Sequence, residues 1–333
     1  MDNNVFIGSG KEHLLFFSNE LQGISYIDFP GFKPRYSRIV PQYITLLLKF
    51  PALLYHIIRE HYRLKTIIRE YEIDIIISDN RFGLWDRKIK TVYITHMPVI
   101  PFPKPFRFLE FTGEFLHRFI IKRYTFCFIP DLPGELNISG RLTHGKRLPG
   151  NVRFIGLLSR FSDNGFSPPN SSEKLQQTTV VLSGPEPQRG ILKKKLSDIL
   201  QAGVYPVVML EGHPGIGNEI LKSGNITFFN HLNTSAMKEM LLRSEWIITR
   251  AGYSTIMELI SINCNALLIP TPGQTEQEYL AGYLSEKGWF TSVSQRNLKT
   301  ATLLFPDKGN WSEIFIEKSE ALLTEAIKDL LHE

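Results

Sequence analysis

Cysteine is scarce: Cys127 and Cys264 are the two in 333 residues. Both fall in apolar strand-like or loop contexts with no pairing pattern, which excludes a disulfide framework and points to a reducing cytoplasm. Uninterrupted apolar runs are short. The longest apolar region, 44–58, is broken by Lys49 and Pro51, so it does not read as a membrane span. No signal-peptide pattern is visible. The nine histidines form no cluster with metal-ligand spacing, so no metal site is expected.

What is present suffices for real cores. The length and a hydrophobic content of 43% suggest two domains. The formal net charge of +5 hides an asymmetry: through Arg160 there are 23 Lys and Arg against 14 Asp and Glu, and beyond it 15 against 19. A basic first half has two plain explanations, solvated helix faces or an anionic partner surface.

The pattern along the chain alternates. Short apolar runs at 5–8, 25–28, 73–78, 91–95, 125–129 and 152–155 read as strands. Helical patterns cover 11–20 and a long basic region, 39–71, that Pro51 is expected to kink or divide. Strands alternating with helices predict an α/β fold with doubly wound sheets and functional loops at the strand carboxyl ends. Asp79, Asn80, Thr95 and His96 fall at such ends. His96 is a candidate acid or base and equally a capping histidine. Asp79 and Asn80 are candidates for a sugar hydroxyl or for shaping the loop. Residues 101–124, PFPKPFRFLEFTGEFLHRFIIKRY, interleave aromatic and basic side chains. This suits a lipid interface or a core helix with a solvated basic edge. No nucleic-acid motif accompanies it, so no nucleic-acid partner is expected. Residues 162–177, rich in Ser, Asn, Pro and Gly, read as a linker.

The second half opens with a strand at 178–182 and then SGPEPQRG, which leads into a helix from about Gln188. Further strands follow at 205–209 and 226–229, and an amphipathic helix at 311–331 closes the chain. Between them, residues 246–279 read WIITRAGYSTIMELISINCNALLIPTPGQTEQEY. A buried strand ends at Arg250, Gly252 turns the chain, and Ser254 and Thr255 are expected to cap a helix running to Ile262. A second strand, 266–269, enters the turn at 270–273, after which Gln274, Gln277 and Glu278 open another helix. Strand, glycine turn and helix N-terminus together make a phosphate site. Glu258, three residues beyond Thr255 on the same face, is placed to accept ribose hydroxyls. The plain alternative is an ordinary βαβ unit.

The spacing R-x-G-x-[ST]-T-x-x-E, followed by Gln277, resembles the donor-binding segment of GT-B glycosyltransferases, above all the undecaprenyl-linked N-acetylglucosaminyltransferases of peptidoglycan synthesis. The resemblance implies two Rossmann-like domains facing a cleft, with an acceptor domain over 1–160, a linker over 161–177 and a donor domain over 178–333. Its last helix would return to the first domain. It implies that Arg250, Gly252, Tyr253, Ser254 and Thr255 meet a diphosphate, that Glu258 holds the ribose, and that Gln274, Gln277 and Glu278 hold the sugar. Arg160 would approach the phosphates, and Ser183, Gly184, Gln188 and Arg189 the diphosphate or the sugar, with His231 and Leu232 beside the uracil. The family carries two glutamines and then an asparagine where this chain has Gln277, Glu278 and Ala281, which leaves the sugar open. The implied reaction is inverting, metal-independent transfer of a hexosyl group from a UDP-sugar, with no cofactor. The acceptor would be a lipid-linked or cell-envelope saccharide at the inner membrane face. The family's usual opening strand, Gly-rich loop and histidine have no match here beyond Gly8 to Gly10, so a truncated start is expected. A nucleotide-sugar epimerase, a non-catalytic nucleotide-sugar-binding subunit and a membrane-binding scaffold are the rival readings.

Overall fold

The computed structural model describes residues 4–11, 14, 17–18, 21, 23–32, 49–98, 110–145, 147–161, 175–212, 220–305 and 313–332. Much of the helix expected at 11–20, the start of the long basic region at 39–48, the segment 99–109 and most of the linker lie outside the described residues. The chain divides into two compact units, residues 1–38 with 166–249, and residues 39–165 with 250–333.

In the first unit, β1 (Phe6–Ser9) pairs in parallel with β2 (Ser25–Asp28). Its larger sheet holds β7 (Leu175–Val181), β8 (Val207–Leu210), β9 (Ile220–Ser223), β10 (Ile226–Phe229) and β11 (Ser244–Thr249). The order is β11–β7–β8–β10–β9, parallel except for the antiparallel edge strand β9. Helices α3 (Gln188–Leu200) and α4 (Thr234–Arg243) follow β7 and β10. Helix α3 buries Leu192, Leu196 and Leu200, a spacing of four that puts all three on one face.

The second unit is built on a parallel sheet in chain order. Its strands are β3 (Ile75–Asp79), β4 (Lys90–Ile94), β5 (Phe126–Ile129) and β6 (Val152–Phe154). Both faces of these strands are apolar, as a sheet covered on both sides requires. Val92, Phe126, Phe128 and Ile155 pack on one face with Ala326 and Leu330 of α7 (Glu313–His332). Tyr93, Cys127 and Ile129 alternate to the other face and meet Tyr124 and Ile121 of α2 (Glu110–Ile121). Helix α7 is tied down further: Lys90 Nζ donates to the Leu330 carbonyl (2.9 Å), and Arg153 pairs with Asp329 (3.2 Å). The same unit contains α1 (Phe50–Glu70), α5 (Tyr253–Ser261), α6 (Thr275–Glu286) and the parallel pair β12 (Leu267–Leu268) and β13 (Thr291–Ser292).

Of the two outcomes expected at Pro51, the described residues show no kink: Pro51 sits at the first turn of α1, where the missing N–H breaks no helical bond and the fixed φ suits the start. One local expectation is corrected. The strand expected at 266–269 is paired only over Leu267–Leu268. Cys127 and Cys264 are both buried and unbridged. No described helix is long and apolar enough to cross a membrane.

Candidate functional site

Helix α5 begins earlier than Ser254 and Thr255 suggest. Gly252 is its N-cap, and both hydroxyl residues lie inside the first turn. Tertiary anchoring overrides the local capping preference. Tyr253 is buried, and its hydroxyl donates to the Pro130 carbonyl at the end of β5 (2.7 Å), which draws Tyr253 into the first turn. No side chain caps the helix. Its opening amides therefore lack the intrahelical acceptors that later residues have, and the positive end of the helix is left for an anion.

Glu258 lies one turn further along. Its carboxylate meets Arg160 Nε at 2.8 Å. Burial pushes the Glu258 carboxyl above the usual carboxylate range, and the Arg160 guanidinium pulls against that shift. Two candidates far apart in sequence thus meet as one charge pair beside the α5 N-terminal turns. Ser261 Oγ, on the same helix, donates to Ser159 Oγ (2.7 Å), which holds the Arg160 segment against α5.

Arg250 has a different place. It is fully buried, and Nη1 donates to the carbonyls of Ile269 (3.2 Å) and Pro270 (3.3 Å). Burial lowers its pKa to about 10. The guanidinium holds the exit of β12 rather than facing outward. The turn beyond it is held by the helix it opens. Gln277 Oε1 accepts the Thr271 amide (2.9 Å), and Glu278 Oε1 accepts the Gly273 amide (2.9 Å). Gln274 is the N-cap of α6 and makes no side-chain cap bond. Gln277 and Glu278 therefore already use part of their acceptor capacity on their own turn.

The imidazole of His96, just past β4, stacks on Tyr253 with ring centroids 4.4 Å apart and planes 10° apart. Its Nε2 lies 2.8 Å from Glu276 Oε1 on α6. The surrounding protein pushes the Asp79 carboxyl above the usual range, with the His96 imidazole opposing the shift. Asn80 takes the loop-shaping role. It has φ +50°, its amide donates to the Ile94 carbonyl (3.0 Å), and its Oδ1 accepts the Tyr93 hydroxyl (2.9 Å).

Sequence reasoning missed Glu276 and Asp131. Three consecutive polar residues at a helix start point about 100° apart, so only one can face a given neighbour. Gln277 and Glu278 turn back to the loop and leave Glu276 to His96. Asp131 is fully buried and accepts the amides of Leu132 (2.8 Å), Ile138 (2.9 Å) and Ser139 (2.9 Å), and the Ser139 hydroxyl. These bonds fold the loop after β5 that presents Pro130 to Tyr253. A Pro-Asp pair after a strand and before Leu-Pro-Gly is a signal for such a loop.

In the first unit, the α3 N-terminus is already satisfied from within. Glu186 Oε2 accepts the Gly190 amide (3.1 Å) and Oε1 meets Arg189 Nε (2.9 Å), while Arg189 Nη1 donates to the Gly212 carbonyl (3.0 Å). A second anion at that terminus would face the Glu186 carboxylate. Ser183 is half-buried and Gly184, with φ +94°, is exposed between β7 and α3; Gln188 opens α3. His231 and Leu232 are half-buried between β10 and α4, where Asn233 caps α4 by accepting the Ala236 amide (2.9 Å). Among the described residues, no three His, Cys, Asp or Glu side chains form a metal-binding group.

Residues 218–305 match the family model of the glycosyltransferase family 28 C-terminal domain. No curated protein sequence matches the chain. The fold is similar to the glycosyltransferase SnogD from Streptomyces nogalater, with TM-score 0.59, 11% identity, and 99% of each chain covered. It is also similar to the glycotransferase of kitacinnamycin, with TM-score 0.57, 13% identity, 98% of this chain and 88% of that one. Acinetobacter baumannii MurG aligns with TM-score 0.50 and 13% identity, over 98% of this chain and 85% of that one. These likenesses establish the α/β architecture as the GT-B fold.

Proposed function

We propose, from the premise that this is a GT-B-fold chain carrying a glycosyltransferase family 28 C-terminal domain, that it transfers a hexosyl group from a UDP-sugar to a saccharide acceptor. N-acetylglucosamine or a related hexose is the donor sugar, and the acceptor is lipid-linked or part of the cell envelope. The observation that carries this reading is the uncapped start of α5 with Glu258 and Arg160 beside it. Free amides and a helix dipole suit a diphosphate. A partly desolvated carboxylate one turn on suits ribose hydroxyls. The reaction is displacement with inversion. The departing diphosphate is stabilised by the α5 amides and by Arg160 without need of a metal ion. Arg189 is assigned a lesser part, because its Nε is held by Glu186 and its Nη1 by the Gly212 carbonyl, and the Glu186 carboxylate lies at the same helix terminus. This reading assigns the acceptor role to residues 1–160 and the donor role to 178–333, a division by role that differs from the two compact units.

The acceptor side draws support from α2. Phe111, Phe115 and Phe119 recur every four residues and are 73%, 70% and 53% exposed, with Arg118 and Lys122 interleaved. Exposed rings beside cations suit the boundary of an anionic bilayer, so peripheral attachment at the cytoplasmic face belongs to this reading.

Calorimetric titration with UDP and UDP-N-acetylglucosamine, against ADP and GDP and without metal, tests the donor assignment. Selective uridine binding is the expected result. Equal or absent binding of all four nucleotides would sink it.

A further inference from the structure

We propose that His144 is a positioning residue for the donor site: a hydrogen-bonded relay from His144 through Thr143 and Ser139 to Asp131 shares one proton and holds the loop that seats Tyr253. This rests on the diphosphate reading of the α5 start above. His144 Nε2 lies 3.0 Å from the Leu132 carbonyl, which only accepts, so Nε2 carries a hydrogen. Nδ1 is 2.6 Å from Thr143 Oγ1, Thr143 Oγ1 meets Ser139 Oγ, and Ser139 Oγ meets Asp131 Oδ2. These three links have two hydroxyl hydrogens between them. All three close only when one further proton sits on Nδ1 or on the Asp131 carboxyl. Each group can pass its hydrogen one link along, so the two placements interconvert by three short proton shifts. Asp131, Ser139 and Thr143 are buried. A relay short of that proton would set two lone pairs face to face away from water. Burial pushes the Asp131 carboxyl up, while the Ser139 hydroxyl and three backbone amides oppose the shift. That balance suits a proton shared along the relay.

The loop reaches both helices of the candidate site. The Pro130 carbonyl accepts the Tyr253 hydroxyl of α5 (2.7 Å). On α6, the Tyr279 hydroxyl accepts the Arg141 amide (2.8 Å) and the Tyr283 hydroxyl donates to Asn137 Oδ1 (3.0 Å). The neighbouring titratable groups leave the proton to the relay. Burial pushes Tyr253 and Tyr283, the phenols that act on Asp131, upward, Tyr283 to about 12, so both stay neutral. Arg141 is held by both Glu110 oxygens of α2 (2.9 Å), and Lys287 of α6 reaches the Glu135 carbonyl (3.4 Å). Glu135 and Arg147 are exposed. The His144 ring itself packs on Phe154 of β6 (4.9 Å).

Two measurements on the full chain test this. In a protein labelled with ¹⁵N-histidine, two-bond ¹H–¹⁵N spectra report each ring's protonation, with His144 assigned through His144→Asn. The wild type at pH 7 should show either a doubly protonated His144 ring or an infrared carboxylic-acid band. That band should vanish in His144→Asn, whose side-chain N–H takes the place of Nδ1–H. A singly protonated ring with no such band overturns the relay, as does a ring with a bare Nε2, and neither result needs a ligand. The second measurement is calorimetric titration with UDP from pH 7 to pH 9. Wild-type affinity should fall as the relay gives up its proton. His144→Asn should bind like the wild type at pH 7 and lose that slope. Thr143→Val cuts the relay and should bind roughly two- to thirtyfold more weakly at pH 7, the range over which residues without ligand contact alter a site. A flat wild-type profile, a slope that His144→Asn retains, or unchanged affinity in Thr143→Val overturns the positioning role while UDP binding stands. A wild type that binds no UDP overturns the donor assignment instead, and the spectra still decide the relay.

Discussion

Arg160 and Glu258 stand 2.8 Å apart, so removing either one changes two things. Glu258→Ala loses the ribose acceptor and also releases Arg160 from its partner. Loss of hydrogen bonds to a charged group costs roughly 1–3 kcal/mol, and UDP affinity in calorimetry should fall by that amount. An Arg160→Ala, Glu258→Ala double-mutant cycle should show clear coupling, because the residues touch. Affinity that is unchanged in Glu258→Ala removes it from the ribose role. His117 gives a test of a different kind. Burial lowers its pKa from 6.5 to about 4, with the Pro98 carbonyl opposing. The ring is held by that carbonyl at 3.0 Å and lies 3.2 Å from the Tyr93 hydroxyl. A depressed folded-state pKa means that the unfolded chain takes up the proton first as pH falls. Stability should therefore be unaffected by this group above pH 6.5 and decline steadily toward pH 4. The loss is about 2–3 kcal/mol across that window. Urea unfolding at pH 7 and pH 4.5 measures it, and His117→Gln should show a shallower decline.

At the scale of elements, the clearest test is Gly156. It follows β6 with φ +70°, and an added Cβ would meet the backbone of Ser319 on α7. Gly156→Ala adds left-handed strain to a collision that no side-chain rotation relieves. A loss of roughly 2–5 kcal/mol is expected in chemical denaturation. A neutral result would mean that α7 can shift away from the strand. The strands and helices themselves were legible because their signals are local. Apolar runs such as Phe126–Ile129 need both faces covered, and Pro and Gly mark their ends. The candidate site was legible only in part. Glycine turn, helix start and Glu258 were readable as a pattern. Arg250 was not, because nothing local distinguishes an arginine aimed at phosphate from one folded onto two carbonyls. The pairs Arg160 with Glu258 and His96 with Glu276 join residues far apart in sequence, which composition and periodicity do not report. The start of α5 at Tyr253 is likewise a tertiary effect.

At the scale of the molecule, the exposed phenylalanines of α2 and the surplus of cations through Arg160 make one joint prediction. Reversing Arg118, Lys122 and Arg123 to glutamate should abolish most sedimentation with vesicles containing anionic lipid. Each basic residue near such a surface contributes about 1 kcal/mol, and the effect weakens with salt. Binding that survives reversal would leave the basic face as solvated surface. Phe115→Ser should weaken vesicle binding in a way that salt does not reproduce.

The docking of α7 carries a consequence for how the protein is made. One face of the β3–β6 sheet is covered by a helix that begins about 160 residues after Phe154. At roughly 5–20 residues per second of synthesis, the ribosome delivers Val92, Phe126 and Phe128 about 10 to 48 seconds before Ala326 and Leu330 emerge. For that interval a nascent chain shows an aromatic sheet face to the cell. A chaperone that shields exposed apolar surface has a window in which to bind. A message stalled before codon 313 should yield a product that stays on the chaperone or aggregates.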